Sequence, residues 1–597
     1  MIENNSTESD YVLLFGKIYT LDKYNHIYSS LAIKNNKIIF IGNNINARNY
    51  IGSKTKVINL KGKMVLPSFS YCHMYPLESS LIESLGVNLS KVYHPNKSSK
   101  DMIDEYLSEI LKFSINNPDV KIIYGYGWHP YAFEELESIN GPKKERLDNL
   151  KIDKPIVLFS YDNHTAWLNS KAFKSFNITI HTKFIDEDTP CKNIIKNNNI
   201  LWGTLKEDAL LFIVPPRCTD EKYINNFLKF QSKMHSYGIT SIASIYTDYF
   251  FGSIPLHIYK KLIQDNKLKL RVSYSESIHP HITKNGQHIA IQKQIFNLIN
   301  IKNETDSISP YFKVVGGKIF IDGVINTQTA YLSSPYRNQN LIDDYNNIHE
   351  LKDDCGCNLW KNNISDLKFA INELNNHGFQ IYFHSIGDGA TKFILDIYKA
   401  LSRSNQYNYR NILTGLQLIN PSDIKRIKQY KIISSLQPFY NINSSITEHK
   451  IPEAIFSYEY LLNLLLNEKV LISGSSNYPI SSLVNPLIEI QKGVTRNFYT
   501  EDKFIFDEIR SIDNTIYLLK QNERISIMDM IRIFTKNSAY ANFIDDEIGS
   551  LEINKNADLI VLDKNLLDTN PIDFDKIKIL ITFFDGEIVY SQKNYIF

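Results

Sequence analysis

The sequence has little cysteine: five in 597 residues (Cys72, Cys191, Cys218, Cys355 and Cys357), odd in number and scattered. This excludes a disulfide-stapled secreted fold and implies reduced thiols and a cytoplasmic setting. Cys355 and Cys357 lack a second cysteine pair, which argues against a zinc knuckle. No stretch approaches the ~20 consecutive apolar residues of a membrane-spanning helix. The first ten residues are polar and lack the apolar heart of a secretory leader. Charge of one sign is also missing. With 66 Lys and Arg against 64 Asp and Glu, the net charge of +2 gives no handle for nucleic acid or an anionic membrane. What remains is an ordinary soluble composition, 43% hydrophobic and 22% charged. The length is too great for one simple core, so a large domain and a smaller one are expected. Short Asn-rich patches such as residues 197–199 read as loop filler.

The two ends of the chain are β-like. Residues 12–19, 30–42 and 57–65 read as strands, and the Asn35-Asn36 step between apolar runs signals a hairpin. Residues 548–552, 557–563 and 584–590 repeat this character at the other end. Neither end alone buries a full core, so a small β-sandwich made from both termini is expected. The reading divides the chain into residues 1–65 and 543–597 for the sandwich, with 66–542 between them.

That middle alternates strand-like and helix-like segments. The strand candidates lie near residues 66–74, 239–243, 270–274, 317–321, 379–384, 412–416, 432–436 and 470–474, and an insertion occupies roughly 90–235. Helix-like residues 365–377 stop at Gly378. Eight strands with helices between them predict a (β/α)8 barrel in an α/β fold, with its working face at the C-terminal strand ends. The stretch from Leu66 to Leu77 carries His73 and Tyr75 two residues apart, so both side chains face one side of a strand.

Taken in order, several motifs resemble those of the amidohydrolase superfamily, in its family 3 branch. They are Leu66-Pro67-x-Phe69, Gly125-x-Gly127-Trp128, His164-x-Ala166-x-x-Asn169-Ser170, Lys318-x-x-x-Asp322-Gly323, His384-x-Ile386-Gly387-Asp388, Gly474-Ser475, and the tail Gly549-Ser550-Leu551 with Ala557-Asp558-Leu559. The resemblance implies metal-assisted hydrolysis of non-peptide C–N bonds, in which a zinc-like divalent metal activates water. It implies ligands from a His-x-His pair on strand one, a carboxylated lysine on strand four, and histidines on strands five and six. It implies an aspartate on strand eight as ligand and base.

Carried over by position, His73, Lys318 and His384 remain as metal ligands, an incomplete set. The second strand-one histidine is Tyr75, the strand-six histidine falls on Gly415, and the strand-eight aspartate falls on Ser476. The aspartate that usually precedes the His-x-His pair is Tyr71. Catalytic zinc usually takes three protein ligands and an open position, so the metal is an expectation that this set does not fully support. No catalytic base is identified. Tyr75, Trp128, His164 and Asp322 are the candidate substrate-binding residues. Two functions of different class follow: a C–N hydrolase with an altered metal site, or a catalytically inactive relative that binds a small molecule or a protein partner. The expected occupant is a small molecule, with neither nucleic acid nor membrane as partner, and a homo-oligomer is compatible with the sequence.

Overall fold

The computed structural model describes residues 8–592 apart from 78–85, 95–96, 183–193, 198, 215, 248–253, 281, 285–286, 338–340, 343–347, 350–353, 402–407, 438–449, 480–483 and 497–519. Eight strands pair in chain order into one parallel sheet: β1 (Phe69–Met74), β2 (Ile239–Tyr246), β3 (Arg271–Ile278), β4 (Phe312–Phe320), β5 (Gln380–Ser385), β6 (Ile412–Gly415), β7 (Ile433–Leu436) and β8 (Ile472–Gly474). Helices between the strands cover the outer face. The helix Ile364–Asn376 shows why: Leu367, Ala370, Ile371 and Leu374 fall on one stripe and are buried. Gly378, at φ +75°, then supplies the left-handed turn that ends it.

The barrel is nearly closed. Strands β8 and β1 do not pair, and their facing edges would leave backbone groups exposed in the wall. At the lower end the helix Ser538–Ala541 and its flanks seal the seam. Asn537 Nδ2 donates to Ile472 O at 2.9 Å, Gly474 N–H to Ser538 Oγ at 3.1 Å, and Asn542 Nδ2 to Tyr71 O at 3.0 Å. At the upper end the chain closes itself, with Tyr75 N–H donating to Tyr478 O at 2.8 Å and Asn477 N–H to His73 O at 3.2 Å.

The termini build two further sheets. One contains Lys37–Gly42, Ser30–Lys34, Tyr11–Leu14 and Lys56–Asn59; the other runs from Glu587–Ser591 through Ile579–Phe584, Leu559–Leu562, Met64–Pro67 and Lys17–Tyr19 to Ile27–Tyr28. Leu13, Leu31 and Ile58 of the first pack with Val65, Val561 and Phe583 of the second in one buried core. The Asn35-Asn36 hairpin forms as expected, with Lys34 opposite Lys37 and Asn35 at φ +53°. The single strand expected over residues 12–19 is instead broken at Phe15 (φ +58°), where the chain leaves one sheet for the other. Arg271, 2% exposed at the start of β3, ties barrel to sandwich: its guanidinium donates to Asp558, Asp585 and Glu547 at 2.7–3.2 Å.

Between β1 and β2 the chain forms a separate six-stranded sheet, spanning Val87–Asn88 to Ile200–Lys206 in sequence. Among the described residues no helix is long and apolar enough to cross a membrane. Cys72 and Cys357 are buried and Cys218 and Cys355 half-buried, with no disulfide among the described residues, and Cys191 lies outside them.

Candidate active site at the barrel mouth

One pocket at the barrel mouth gathers five sequence-predicted positions: His73, Tyr75, His384 and Gly415 from the C-terminal strand ends and the turns after them, and His164 from the inserted sheet. A slip in register prepares the first of these. Tyr71 pairs with Ile242 and Met74 with Ser244, so Cys72 and His73 together oppose Ala243. Such a bulge re-aims a side chain at the rim of a sheet. His73 Nε2 meets Lys318 Nζ at 3.1 Å, and Lys318 also donates to Thr414 Oγ1 at 2.7 Å. The Tyr75 ring stands edge-on to His73, with centroids 5.4 Å apart.

His384, at the end of β5, donates from Nε2 toward Gly323 O at 3.4 Å and packs against Phe320. His164 reaches the same pocket from the inserted sheet, its ring centroid 5.5 Å from that of His384. It is held from behind: Nδ1 donates to Glu207 Oε2 at 2.7 Å, and Thr329 Oγ1 donates to Glu207 Oε1 at 2.6 Å. Glu207 adopts φ +46°, a strained value for a side chain of this size. Gly323 leaves the room for this clasp, since a Cβ there would collide with Glu207 and Thr329.

Burial, and then the neighbouring Lys318, pulls the His73 pKa well below the ordinary imidazole value. Burial does the same to His384, reinforced by Lys318 and the two other histidines. Burial also takes the Lys318 amine well below the usual lysine range. His164 goes the other way. Burial would lower its pKa, but the Glu207 carboxylate outweighs this and raises it to about 9. The pocket thus presents two neutral imidazoles and one imidazolium paired to a carboxylate.

The other predicted positions lie elsewhere. Ser476 is buried behind the pocket, where its hydroxyl accepts from Tyr478 N–H at 3.2 Å. Asp322 does not line the pocket. It is a buried clasp whose carboxylate accepts from Tyr331, Ile386 and Gly387 N–H at 2.8–3.0 Å, fixing the turns after β4 and β5. Trp128 lies in the core of the inserted sheet beside Phe133, with Nε1 donating to Leu158 O at 2.8 Å. Neither is among the residues that line the pocket: Asp322 is engaged by backbone N–H groups and Trp128 by the core of the inserted sheet.

Gly415 explains the missing strand-six group. It sits at φ +89°, and a Cβ there would stand 2.5 Å from Ile386 Cδ1. The space of a side chain at this position is filled by Ile386. Gln417, Gln437 and Asn477 also line the pocket, and sequence reading did not select them as site residues. Their signal was positional only: Gln437 directly follows β7, and Gln417 and Asn477 lie two or three residues beyond their strands. Glu207 carried no signal, because its partner is 43 residues away.

The residues present do not fit a catalytic divalent metal as they stand. His73 Nε2 is engaged by the Lys318 amine, and no Asp or Glu lines the pocket among the described residues. Among the described residues no three His, Cys, Asp or Glu side chains converge as a metal site.

Fold and mouth together define an α/β-barrel protein of the amidohydrolase type. A family model described as amidohydrolase family matches residues 56–590, and the chain belongs to that family, in its family 3 branch. It is similar to the putative amidohydrolase YtcJ of Bacillus subtilis, 23% identical, with 97% of this chain and 98% of that protein covered. It is also similar to the N-substituted formamide deformylase of Arthrobacter pascens, at 21% identity over 98% of each chain. The Arabidopsis thaliana protein LONG AFTER FAR-RED 3 is 26% identical over 98% of this chain and 92% of its own length. The crystal structure of an uncharacterized metal-dependent hydrolase of Pyrococcus horikoshii shares the fold, with a TM-score of 0.64 at 21% identity, covering 94% of this chain and 99% of that one.

Proposed function

We propose that the barrel mouth binds a small molecule of the amide class, without the metal-assisted hydrolysis that the family's ligand set supports. One observation carries this reading: the Lys318 amine is hydrogen-bonded to His73 Nε2 and Thr414, beside a pocket lined by no carboxylate among the described residues. A metal-bound water needs both the ligands and a base to take its proton. Here the strand-six position is a glycine at φ +89° crowded by Ile386 Cδ1, and the strand-eight position is a serine whose hydroxyl accepts from Tyr478 N–H. The groups that remain suit neutral recognition. Gln437 and Asn477 bring amide donors and acceptors to the lining, the pattern that an amide presents in return, while Gln417 is tied through Nε2 to Glu459 Oε1 at 2.9 Å.

A second reading, hydrolysis of a C–N bond, is favoured by the retention of His73, Lys318 and His384 at one mouth and by the relative that acts on N-substituted formamides. Metal analysis of untagged protein, run beside calorimetric titration and turnover assays with a panel of N-substituted formamides, separates the two. Binding without turnover, in protein free of stoichiometric metal, supports the first. Stoichiometric zinc, manganese or iron with turnover would overturn it in favour of the second.

A further inference from the structure

The barrel interior below the pocket is unusually polar. Interiors of such barrels are ordinarily filled by Val, Ile and Leu in layers. In-register neighbours on parallel strands face the same side, and here one row runs Phe320, His384, Thr414, Ser435, Ser473. Phe320 and His384 line the pocket, so this face is the inner one. Lys318 and Tyr382 form the row beneath, and Ser275 and Gln380 flank Gly316 in the row below that. Asn542 plugs the floor, with Nδ2 donating to Ser70 Oγ at 3.2 Å and Tyr71 O at 3.0 Å.

Six buried polar atoms on this inner face have no hydrogen-bond partner among the described residues: Ser435 Oγ, Ser473 Oγ, Tyr382 OH, Ser275 Oγ, Gln380 Oε1 and Asn542 Oδ1. A buried polar group without a partner is costly, and native proteins satisfy nearly all of them. These six are not scattered. Five of them occupy successive rows of the barrel's inner face, up to the layer that holds His384, and Asn542 lies at the floor.

We propose that the barrel axis beneath the pocket is a built site for ordered water, held by Ser435 and Ser473 above, Tyr382 in the middle, and Ser275, Gln380 and Asn542 below. A buried water makes about three hydrogen bonds, so six such atoms call for about two waters or more. Metal is a poorer occupant. Among the described residues the inner face offers hydroxyl and amide oxygens, with the Cys72 thiol beside Ser473, and no carboxylate, whereas hard cations seek charged oxygen ligands. The water joins the Lys318 layer to the barrel floor, and it keeps a polar core folded whether or not the mouth carries out hydrolysis.

A high-resolution crystal structure of the full chain tests the assignment directly. Ordered waters bridging Ser435, Ser473 and Tyr382 are expected. A metal ion on the barrel axis, or hydroxyls bonded only to one another and to backbone, would overturn it. Water-oxygen magnetic relaxation dispersion counts long-lived internal waters in solution. Ser435→Ala with Ser473→Ala should lose about one or more of them relative to the parent. Tyr382→Phe provides a stability readout that a merely unpartnered hydroxyl would move the opposite way. A hydrated hydroxyl makes the phenylalanine variant melt lower than the parent, and an orphaned one makes it melt higher. Where a variant fails to fold, the crystal structure and the water count of the parent still decide.

Discussion

At the residue scale the pocket is a set of neutral imidazoles around one ion pair, and two positions give separable predictions. Gly415 is required by its backbone, at φ +89°, and by the Ile386 methyl that fills the space where a side chain would stand. Gly415→Ala should destabilise by about 1–3 kcal/mol in urea unfolding. A neutral effect would show that the turn after β6 relaxes freely. The same constraint bears on rebuilding the family's ligands. Tyr75→His and Ser476→Asp restore two groups, but Gly415→His meets both the backbone and Ile386. The triple variant is therefore expected to fold poorly instead of gaining metal. His164 provides the pH prediction. Its folded pKa, raised to about 9, lies above the ordinary 6.5, so the pair with Glu207 contributes its full stability below about pH 6.5. That contribution fades as pH rises through about 9. His73 and His384, with lowered values, lose stability below 6.5 instead, and Lys318 gains it as pH rises. The clean measurement is thus a difference: the gap in melting temperature between parent and His164→Gln should narrow from pH 6.5 to 9. A gap constant with pH would show that the pair carries no proton-linked stability.

At the scale of elements, the seam between β1 and β8 decides whether the barrel holds together. The two edges never pair. Side chains of Asn537, Ser538 and Asn542 take their backbone groups below, and two loop hydrogen bonds do so above. Asn542 is the most connected of the three, reaching Tyr71 O, Ser70 Oγ and Ser241 Oγ. Removing its amide leaves buried acceptors unsatisfied, so Asn542→Ala should cost about 1–3 kcal/mol by chemical denaturation. Stability equal to the parent's would mean that packing alone seals the seam. The bulge in β1 belongs to the same scale, because a strand in even register would not place Cys72 and His73 together against Ala243.

At the scale of the whole molecule, the sandwich and the barrel depend on one another through Arg271 and through shared strands. Arg271 is buried with Asp558, Asp585 and Glu547 around it. Arg271→Ala leaves carboxylates buried without their cation and should cost about 3–5 kcal/mol in urea unfolding. A cost below 1 kcal/mol, typical of surface pairs, would show that solvent already screens the cluster. Leu559–Leu562 pairs antiparallel with Met64–Pro67, which lies in sequence just before β1. A chain ending at Asn542 would lose this strand and half of the sandwich core, and it is expected to be insoluble on expression. A soluble, cooperatively melting truncation would show that the C-terminal segment is an appendage.

Read alone, the sequence settled what depends on local pattern. Apolar strand-like runs alternating with helix-like segments marked the eight barrel strands, Asn35-Asn36 marked the hairpin, and the resemblance to the amidohydrolase family singled out His73, Tyr75 and His384. Spacing along a strand predicts which face a side chain takes, because the period of two is set by the backbone itself. What depends on distant contacts was decided only in three dimensions. Asp322 and Trp128 look functional in sequence yet are spent on backbone N–H groups and on an inserted core. Glu207 looks ordinary yet holds His164, because a bond between residues 43 apart leaves no periodic trace. The closing of position 415 by Ile386 has the same origin: packing is a property of volumes that meet after the chain has folded, and no single stretch encodes it.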